Sequence, residues 1–471
     1  MLDAARTLAG ALFATGLMAL LPAAVAARLG SGQAPAFLAT GLFCIFIAGA
    51  LRFSTQGVSA RLRPAQGLGG LVALWIVVPL AATPAIAISS GLAPLAAWLE
   101  ATSALTATGL TALRQGPAAL FVWLALLQWA GGFLTIVSAL AILAPAGLGG
   151  LPDRTVRGGG AVDAADLRLI VSETAPLYAA GTLAIALVLL MDGEPFYVAF
   201  TLATAVASAG AHLPPEAHLA LALGPEVKWL LLPFLLWSAT SVRWHRALAT
   251  RRVNAAPDQP ESLVVLAYWV VLGIVLGAIL FRAAQVDAFE AVRDGLFSAA
   301  SLIATSGIGA REGTYESLPL GLVIAVALLG GGAFSVAGGL KMLRLRAMLL
   351  RTRGDLMRLV YPNLVQPASL GEGGMGSAMR GVWVGAAAFF MLFAAALIAV
   401  SPGLPSFEAA FAAAAALVSN TGPVYDAAGK GWPAIASLPT GSVLAAGLTM
   451  IAARLEIIGL AVVIHLLFWR T

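Results

Sequence analysis

Two uncharged stretches, each longer than 35 residues, most constrain what this chain can fold into. They run from Pro64 to Leu99 and from Gln115 to Pro152. A helix needs about 20 apolar residues to cross the hydrocarbon core of a bilayer, so each stretch contains more than one simple crossing. Of the 471 residues only 10% are charged, whereas soluble domains carry about 25%. The sequence therefore predicts an all-α polytopic membrane protein and excludes a soluble one.

One structural unit is predicted four times along the chain. In each unit a span is followed by a short re-entrant helix, a turn of small residues that ends in glycine, and a second span. The short helices are predicted near Pro94–Thr106, Pro195–Ala207, Phe289–Ala304 and Phe407–Val418. The glycines of the four turns are 101, 97 and 115 residues apart. This period is too long for a solenoid and suggests four fused domains around one axis.

The repeat and the charge pattern together predict the domains and the topology. Residues 1–63 lack a short helix and form an accessory pair of transmembrane helices, and the four repeats occupy 64–152, 153–255, 256–360 and 361–471. Ten crossings and four re-entrant helices place both termini on the same side. Arginines concentrate in alternate loops, around residues 52–63, 154–168, 243–252 and 344–380. By the positive-inside rule these loops and both termini are cytoplasmic, and the glycine turns lie at the outer face.

The four turns have the composition that a cation pathway needs. A cation that crosses hydrocarbon must exchange its water for other oxygen ligands, which inward-facing backbone carbonyls supply. Glycine permits the positive-φ conformations that such a strand needs. The helices before the turns would aim their partly negative C-terminal ends at the axis, and Asp287 and Glu290 have capping-box spacing at the outer end of the third. The candidate metal ligands are Ala107, Thr108 and Gly109; Ser208, Ala209 and Gly210; Thr305, Ser306 and Gly307; and Asn420, Thr421 and Gly422.

Four segments carry a resemblance to a known family. They are Leu99 to Thr111 around the first turn, Gln128-Trp129-Ala130-Gly131-Gly132, Gly331 to Lys341, and Ala453-Arg454-Leu455-Glu456-Ile457. They resemble the Trk/Ktr/HKT superfamily of potassium transporters, in its TrkH-like branch with two extra N-terminal spans. The second turn departs from the family pattern at Ser208 and Ala211. The resemblance links the four turn glycines to a preference for potassium.

Two further features of the sequence indicate a gate. By resemblance, Gly331, Gly332, Gly338 and Gly339 belong to an intramembrane loop that gates the pore below the filter. The residues alone leave open a close helix crossing of small residues. Lys341 and Arg344 at the end of this stretch either stiffen the gate or anchor the helix at lipid headgroups. Arg454 lies inside the membrane, where charged residues usually mark function; by resemblance it borders the pore as an electrostatic barrier, with a structural pair to a carboxylate of another helix as the alternative.

The resemblance also implies a function and partners. It implies potassium uptake across the cell inner membrane, with K⁺ as the transported ion, no enzymatic activity and no covalently bound cofactor. Because the chain has no phosphate-binding loop motif, nucleotide control would come from a separate cytosolic ring on the inner face, and a homodimer is expected. The residues alone leave open an alternating-access secondary transporter of Na⁺ or a small solute. They also leave open a channel or an H⁺- or Na⁺-coupled symporter.

Overall fold

The computed structural model describes residues 2–57, 64–113, 115–143, 164–251, 258–283, 287–311, 313–361, 372–428 and 431–455. Throughout these ranges the regular elements are helices, as the sequence predicts. The predicted domain boundaries after residues 63, 152 and 255 fall at or inside the gaps between the ranges. Most of the arginine-rich loop at 154–168, and Glu456 and Ile457 of the last family motif, also lie outside the described residues.

The N-terminal pair precedes the repeats and packs on the first of them. It consists of α1 (Leu2–Met18), α2 (Leu20–Arg28) and α3 (Ala34–Ser54), and α1 and α2 together form one span. These helices pack against α4 (Pro64–Ser90) and α6 (Ala118–Ser138) of the first predicted repeat. The crossing between α1 and α3 is close because Gly16 and Gly41 face each other, and a Cβ on Gly16 would lie 2.8 Å from the Gly41 carbonyl oxygen.

The remaining helices follow the order that the repeat predicts. The first repeat adds α5 (Pro94–Leu105) and the π-helical turn Ala139–Leu143, and the second has α7 (Ala164–Met191), α8 (Phe196–Ser208), α9 (Pro215–Leu223), α10 (Pro225–Ala239) and α11 (Val242–Ala249). The third has α12 (Gln259–Ala283), α13 (Ala288–Ile303), α14 (Leu320–Leu329) and α15 (Met342–Val360), and the fourth has α16 (Glu372–Val400), α17 (Phe407–Ser419) and α18 (Thr440–Arg454). Short 3-10 helices cover Tyr315–Ser317, Gly422–Ala428 and Ile435–Ser437.

The short helices α5, α8, α13 and α17 begin where the sequence supplies start signals. Asp287 caps α13, because its carboxylate accepts the backbone N–H of Phe289 at 2.7 Å and that of Glu290 at 3.1 Å. Glu194 precedes α8. Its carboxyl has a raised pKa, mainly because the group is partly buried and secondly because the negative charge of Asp192 is close. Acidic groups at these N-terminal ends agree with helix dipoles whose negative ends point toward the centre of the protein.

Packing between successive repeats closes a ring. Each short helix packs against the span that precedes it, in the pairs α4–α5, α7–α8, α12–α13 and α16–α17. The second span of each repeat then packs on the short helix of the next repeat, in the pairs α6–α8, α10–α13, α14–α17 and α18–α5. Since the last of these pairs joins the fourth repeat to the first, the four units surround a common centre.

Fewer helices than the ten predicted crossings are long and apolar enough to span a membrane. Within the described residues seven helices meet this test, or eight if α9 and α10, bent by 106° to each other, count as one span. The two other predicted crossings correspond to α14 and α18. Helix α14 is only 10 residues long because the chain leaves helical geometry at Gly330, where φ is +67°. Helix α18 is 15 residues long in the described part of the chain.

Candidate functional site

The four short helices end in the same backbone geometry. The chain enters the left-handed region at Ala107, Ala209, Thr305 and Asn420, where φ is 50°, 54°, 58° and 54°. The next residue of each turn donates its backbone N–H to the carbonyl five positions earlier, at 2.9 Å in the first, second and fourth turns and 3.0 Å in the third. Three of the four left-handed residues are alanine or threonine, for which this conformation costs about 1–2 kcal/mol. The turns therefore hold a conformation that neighbouring contacts must stabilise.

This shared geometry corrects the sequence alignment of the second turn. The left-handed residues Ala107 and Ala209 occupy equivalent positions in the first and second turns. Counted from them, Gly210 corresponds to Thr108, and Ala211 corresponds to Gly109. The glycine of the second turn therefore lies one position earlier than the other three. Positive φ is found at Gly109 and Gly307, at 75° and 73°, but not at Gly210 or Gly422. The sequence could not reveal this shift because it depends on where helix α8 ends.

The four turns meet one another around the centre of the protein. All twelve predicted ligand residues are buried. The first and fourth turns are joined by a hydrogen bond from the Gly422 N–H to the Thr108 carbonyl, at 2.5 Å. A Cβ on Gly109 would lie 2.9 Å from the nitrogen of Ala211, so the first turn touches the second. The Ser306 hydroxyl of the third turn donates to the Gly210 carbonyl of the second. A Cβ on Gly307 would lie 2.9 Å from the methyl group of Thr421, so the third turn also touches the fourth.

Buried polar side chains brace the first two turns. Gln128 of α6 is fully buried and hydrogen-bonds the backbone of His212 in both directions, each at 3.2 Å. The Nε2 atom of His212 lies 3.2 Å from the Glu100 carboxylate of α5, which also accepts the Thr111 hydroxyl and, at 3.2 Å, the Ala112 N–H. Sequence reasoning noted Gln128 only as part of a family motif and missed the roles of Glu100 and His212, although both are polar residues beside a turn in an apolar chain.

A buried group of charged side chains fixes the third turn. Lys228 of α10 and Arg293 of α13 lie 3.3 Å and 2.9 Å from one carboxylate oxygen of Asp294, and Arg311 lies 2.5 Å from the other. Lys228, Arg293 and Asp294 are at most 5% exposed. Because Arg311 follows the third turn along the chain, this group ties the turn to the second repeat. Sequence reasoning missed it, although charged residues are rare enough here to be a signal.

The glycine-rich segment, residues 330–341, is buried and non-helical directly against the turns. The Gly338 N–H donates to the Thr305 hydroxyl of the third turn at 2.6 Å, and a Cβ on Gly338 would lie 3.0 Å from the carbonyl carbon of Ser419. The backbone closes on itself, since Met342 N–H donates to the Gly331 carbonyl at 2.9 Å. Lys341 is 8% exposed and donates its ammonium group to the Ala337 carbonyl. This contact ties the Lys341 side chain to the backbone of its own segment.

Arg454 connects the glycine-rich segment to the first turn. It is 5% exposed, and its guanidinium donates to the carbonyl oxygens of Thr106 at 2.6 Å and Val336 at 2.7 Å. Thr106 is the C-cap residue of α5, where a positive charge is favourable. Among the described residues, the ion pairs found do not include one between Arg454 and a carboxylate, so the structure replaces that predicted alternative with two backbone carbonyls.

A small cavity lies beside these contacts. Its volume available to water is about 30 Å³, and its walls include Thr135, Phe334, Gly338, Lys341, Arg344 and Arg454. A cavity of this size has room for more than one water molecule. The site thus combines a ring of four turns, a glycine-rich segment pressed against that ring, and a small cavity at the segment.

Comparisons with known proteins agree with this architecture. No family model matches the chain. The Trk system potassium uptake protein TrkH of Salmonella typhimurium is 27% identical over 397 residues, which are 81% of this chain and 82% of that protein. TrkH of Vibrio parahaemolyticus is 26% identical over 411 residues, 84% of this chain and 83% of that protein.

The fold itself matches a solved structure over the full length. The crystal structure of the potassium transporter TrkH from Vibrio parahaemolyticus aligns with a TM-score of 0.85 and 24% identity, and covers 100% of this chain and 99% of that one. The chain is thus similar in sequence to TrkH potassium uptake proteins and similar in fold to a solved TrkH transporter.

Proposed function

We propose that the protein takes up potassium across the cell membrane through the centre of its ring of turns. The observation that carries this proposal is the meeting of four turns, one from each repeat, in one buried ring. Each turn ends a helix whose free carbonyl end faces the ring, and a cation is favoured at such an end. The relatives that match over most of the chain are potassium uptake proteins by name, which supports K⁺ as the transported ion.

The proposed ligands are the backbone carbonyls of the four predicted triplets. Carbonyl oxygens that replace the hydration shell are the physical basis of selectivity among alkali cations. The first, third and fourth turns contribute Thr108-Gly109, Ser306-Gly307 and Thr421-Gly422 in matching positions. In the second turn the matching pair is Gly210-Ala211, so we include Ala211 with the predicted Ala209 and Gly210. Ser208 then belongs to the last turn of α8.

The proposed gate is the glycine-rich segment with Arg454. It lies against the third and fourth turns through Thr305 and Ser419, so an ion leaving the ring must displace it. Arg454 holds the segment to the end of α5 and also places a positive charge beside the path. Both effects oppose cation flow while the segment stays in place.

The finer assignments extend the same proposal. The repeats occupy 64–152, 153–255, 256–360 and 361–471, the termini and the arginine-rich loops face the cytoplasm, and the protein resides in the cell inner membrane. A homodimer and a cytosolic nucleotide-binding ring on the inner face complete the assembly. Cross-linking in native membranes tests the dimer, since an unshifted monomer would contradict it.

Ion flux into liposomes tests the proposed function. Purified protein is expected to pass K⁺ and Rb⁺ much faster than Na⁺ or Li⁺, while empty liposomes and liposomes with heat-inactivated protein pass none at a comparable rate. Equal rates for K⁺ and Na⁺ would contradict the potassium assignment. Repeating the assay with imposed H⁺ or Na⁺ gradients distinguishes passive flow from coupled symport.

The alternating-access carrier is not favoured. Its substrate would bind where helices are interrupted near mid-membrane, and the glycine-rich segment is such an interruption. The four turns that meet in a ring have no role in that mechanism, however, and the matching relatives are potassium uptake proteins by name. Saturable uptake of a small solute, unaffected by substitution of Gly109, would revive the alternative.

A further inference from the structure

We propose that Glu261 is the positioning residue that holds the glycine-rich segment in its closed place, acting from the junction between the second and third repeats. The inference rests on the proposed function and adds to it a residue that is neither a candidate ligand nor part of the segment. Glu261 is in the first turn of α12 and is 2% exposed. A carboxylate so deeply buried requires hydrogen-bond donors that compensate for its lost hydration.

One such donor comes from the glycine-rich segment. The Ala333 N–H donates to Glu261 Oε1 at 2.8 Å, and Oε2 is buried with no hydrogen-bond partner among the described residues. Glu261 therefore ties residue 333 of the segment to the first turn of α12.

Three neighbours of Glu261 hold the same part of the segment. The Gly332 N–H donates to the Ala239 carbonyl at 2.8 Å, and the Val242 N–H donates to the Phe334 carbonyl at 3.1 Å. The guanidinium of Arg243 lies 4.8 Å from the centre of the Phe334 ring. We call Ala239, Val242, Arg243 and Glu261 the junction clamp. Its contacts act on residues 332–334, whereas Arg454 contacts residue 336.

The backbone of the segment shows that it needs such external support. Phe334 has a φ of +54° and Lys341 one of +72°, values that side chains with a Cβ rarely adopt. Strained residues persist only where the surrounding structure holds them. Of the clamp hydrogen bonds, the one to Glu261 is made by a side chain, whereas those of Ala239 and Val242 are made by the backbone and persist when side chains are replaced. Loss of this carboxylate should therefore release the segment more than loss of any other clamp side chain.

Cysteine accessibility tests the clamp. The chain has one cysteine, Cys44, so Cys44→Ser with Ala337→Cys gives a single reporter in the segment at the cavity wall. In everted membrane vesicles, a charged thiol reagent is added from the side of the arginine-rich loops. It is expected to modify the cysteine introduced at position 337 about tenfold faster or more when Glu261→Ala is added. Glu261→Gln, which keeps one acceptor oxygen, should give an intermediate rate.

A matched control lies one residue away. Ser262 is buried in the same turn, and its hydroxyl has no hydrogen-bond partner among the described residues, so Ser262→Ala should leave the rate unchanged. A Glu261→Ala variant with the wild-type rate, or a Ser262→Ala variant with an equal increase, would overturn the proposal. A monodisperse gel-filtration profile excludes unfolding as the cause of a faster rate.

Flux provides the second readout. Glu261→Ala is expected to raise K⁺ flux while the K⁺/Na⁺ ratio stays at the wild-type value, because the clamp contacts the gate and not the turns. A faster reagent rate with a lower K⁺ flux would contradict the closing role. If the wild-type protein passes no K⁺ at all, the proposed function fails, but the reagent rates still report whether Glu261 holds the segment.

Discussion

The hydroxyl of Ser306 donates a 2.9 Å hydrogen bond to the backbone carbonyl of Gly210 and so joins the third turn to the second. Across the ring, the amide of Asn420 donates to the hydroxyl of Thr108 at 3.0 Å and joins the fourth turn to the first. At the other two seams the turns meet through close packing of Gly109 on Ala211 and of Gly307 on the fourth turn. The ring is therefore built from two hydrogen-bonded pairs of turns.

Replacement of Ser306 by alanine should reduce the K⁺/Na⁺ ratio. The hydroxyl fixes the direction of the Gly210 carbonyl, and its loss removes a hydrogen bond worth about 1 kcal/mol. A carbonyl that can turn freely adapts more easily to the smaller Na⁺ ion. We expect the ratio to fall several-fold in bi-ionic flux from liposomes, while Ser306→Thr, which keeps the hydroxyl, retains it. An alanine variant with the wild-type ratio would show that this bond does not shape the ring.

Substitutions at Gly109 and Gly210 should differ in severity, although sequence alignment treats the two glycines as equivalent. Gly109 has a φ of +75° and faces the backbone of Ala211, so Gly109→Ala adds about 1 kcal/mol or more of backbone strain and a clash. Gly210 has no positive φ, and its added Cβ would meet the side chain of Gln128. Growth rescue of a potassium-uptake-deficient strain should fail for Gly109→Ala and persist partly for Gly210→Ala. The reverse order would refute the structural register of the second turn.

The sequence predicts the helices well because their signals are local. The predicted short helix Phe289–Ala304 is observed as Ala288–Ile303, and Phe407–Val418 as Phe407–Ser419. Uncharged length, proline and glycine breaks, and the cap at Asp287 all act within a few residues along the chain. The break of the third inner helix at Gly330 has the same origin, because successive glycines disfavour helix.

The contacts that make the site depend on distant parts of the chain, and sequence alone does not supply them. Arg454 is visible as a charge in an apolar helix, but its acceptors at Thr106 and Val336 lie 348 and 118 residues away. A carboxylate partner is the natural expectation for a buried arginine, whereas backbone carbonyls become available only where a helix ends or breaks. The shifted second turn and the role of Glu261 depend in the same way on tertiary packing.

Removal of Asp294 should destabilise the fold strongly. Its carboxylate compensates the buried charges of Lys228 and Arg293 and also contacts Arg311. Breaking a buried ion pair by deleting one partner costs about 3–5 kcal/mol because the other charges stay buried. Asp294→Asn should lower the apparent Tm in detergent clearly more than Lys228→Met, which leaves the carboxylate with two arginine partners. Equal Tm values for Asp294→Asn and wild type would show that the group does not support the third turn.

Replacement of Arg454 by lysine separates its charge from its geometry. Guanidinium nitrogens reach two carbonyls on two different elements, whereas the single ammonium of lysine is a point charge that cannot span both in the same way. If Arg454 acts mainly as an electrostatic barrier, Arg454→Lys should conduct like wild type and Arg454→Gln should conduct faster. We expect instead that Arg454→Lys raises K⁺ flux about tenfold or more, as loss of one hydrogen bond to a charged donor implies, with an unchanged K⁺/Na⁺ ratio.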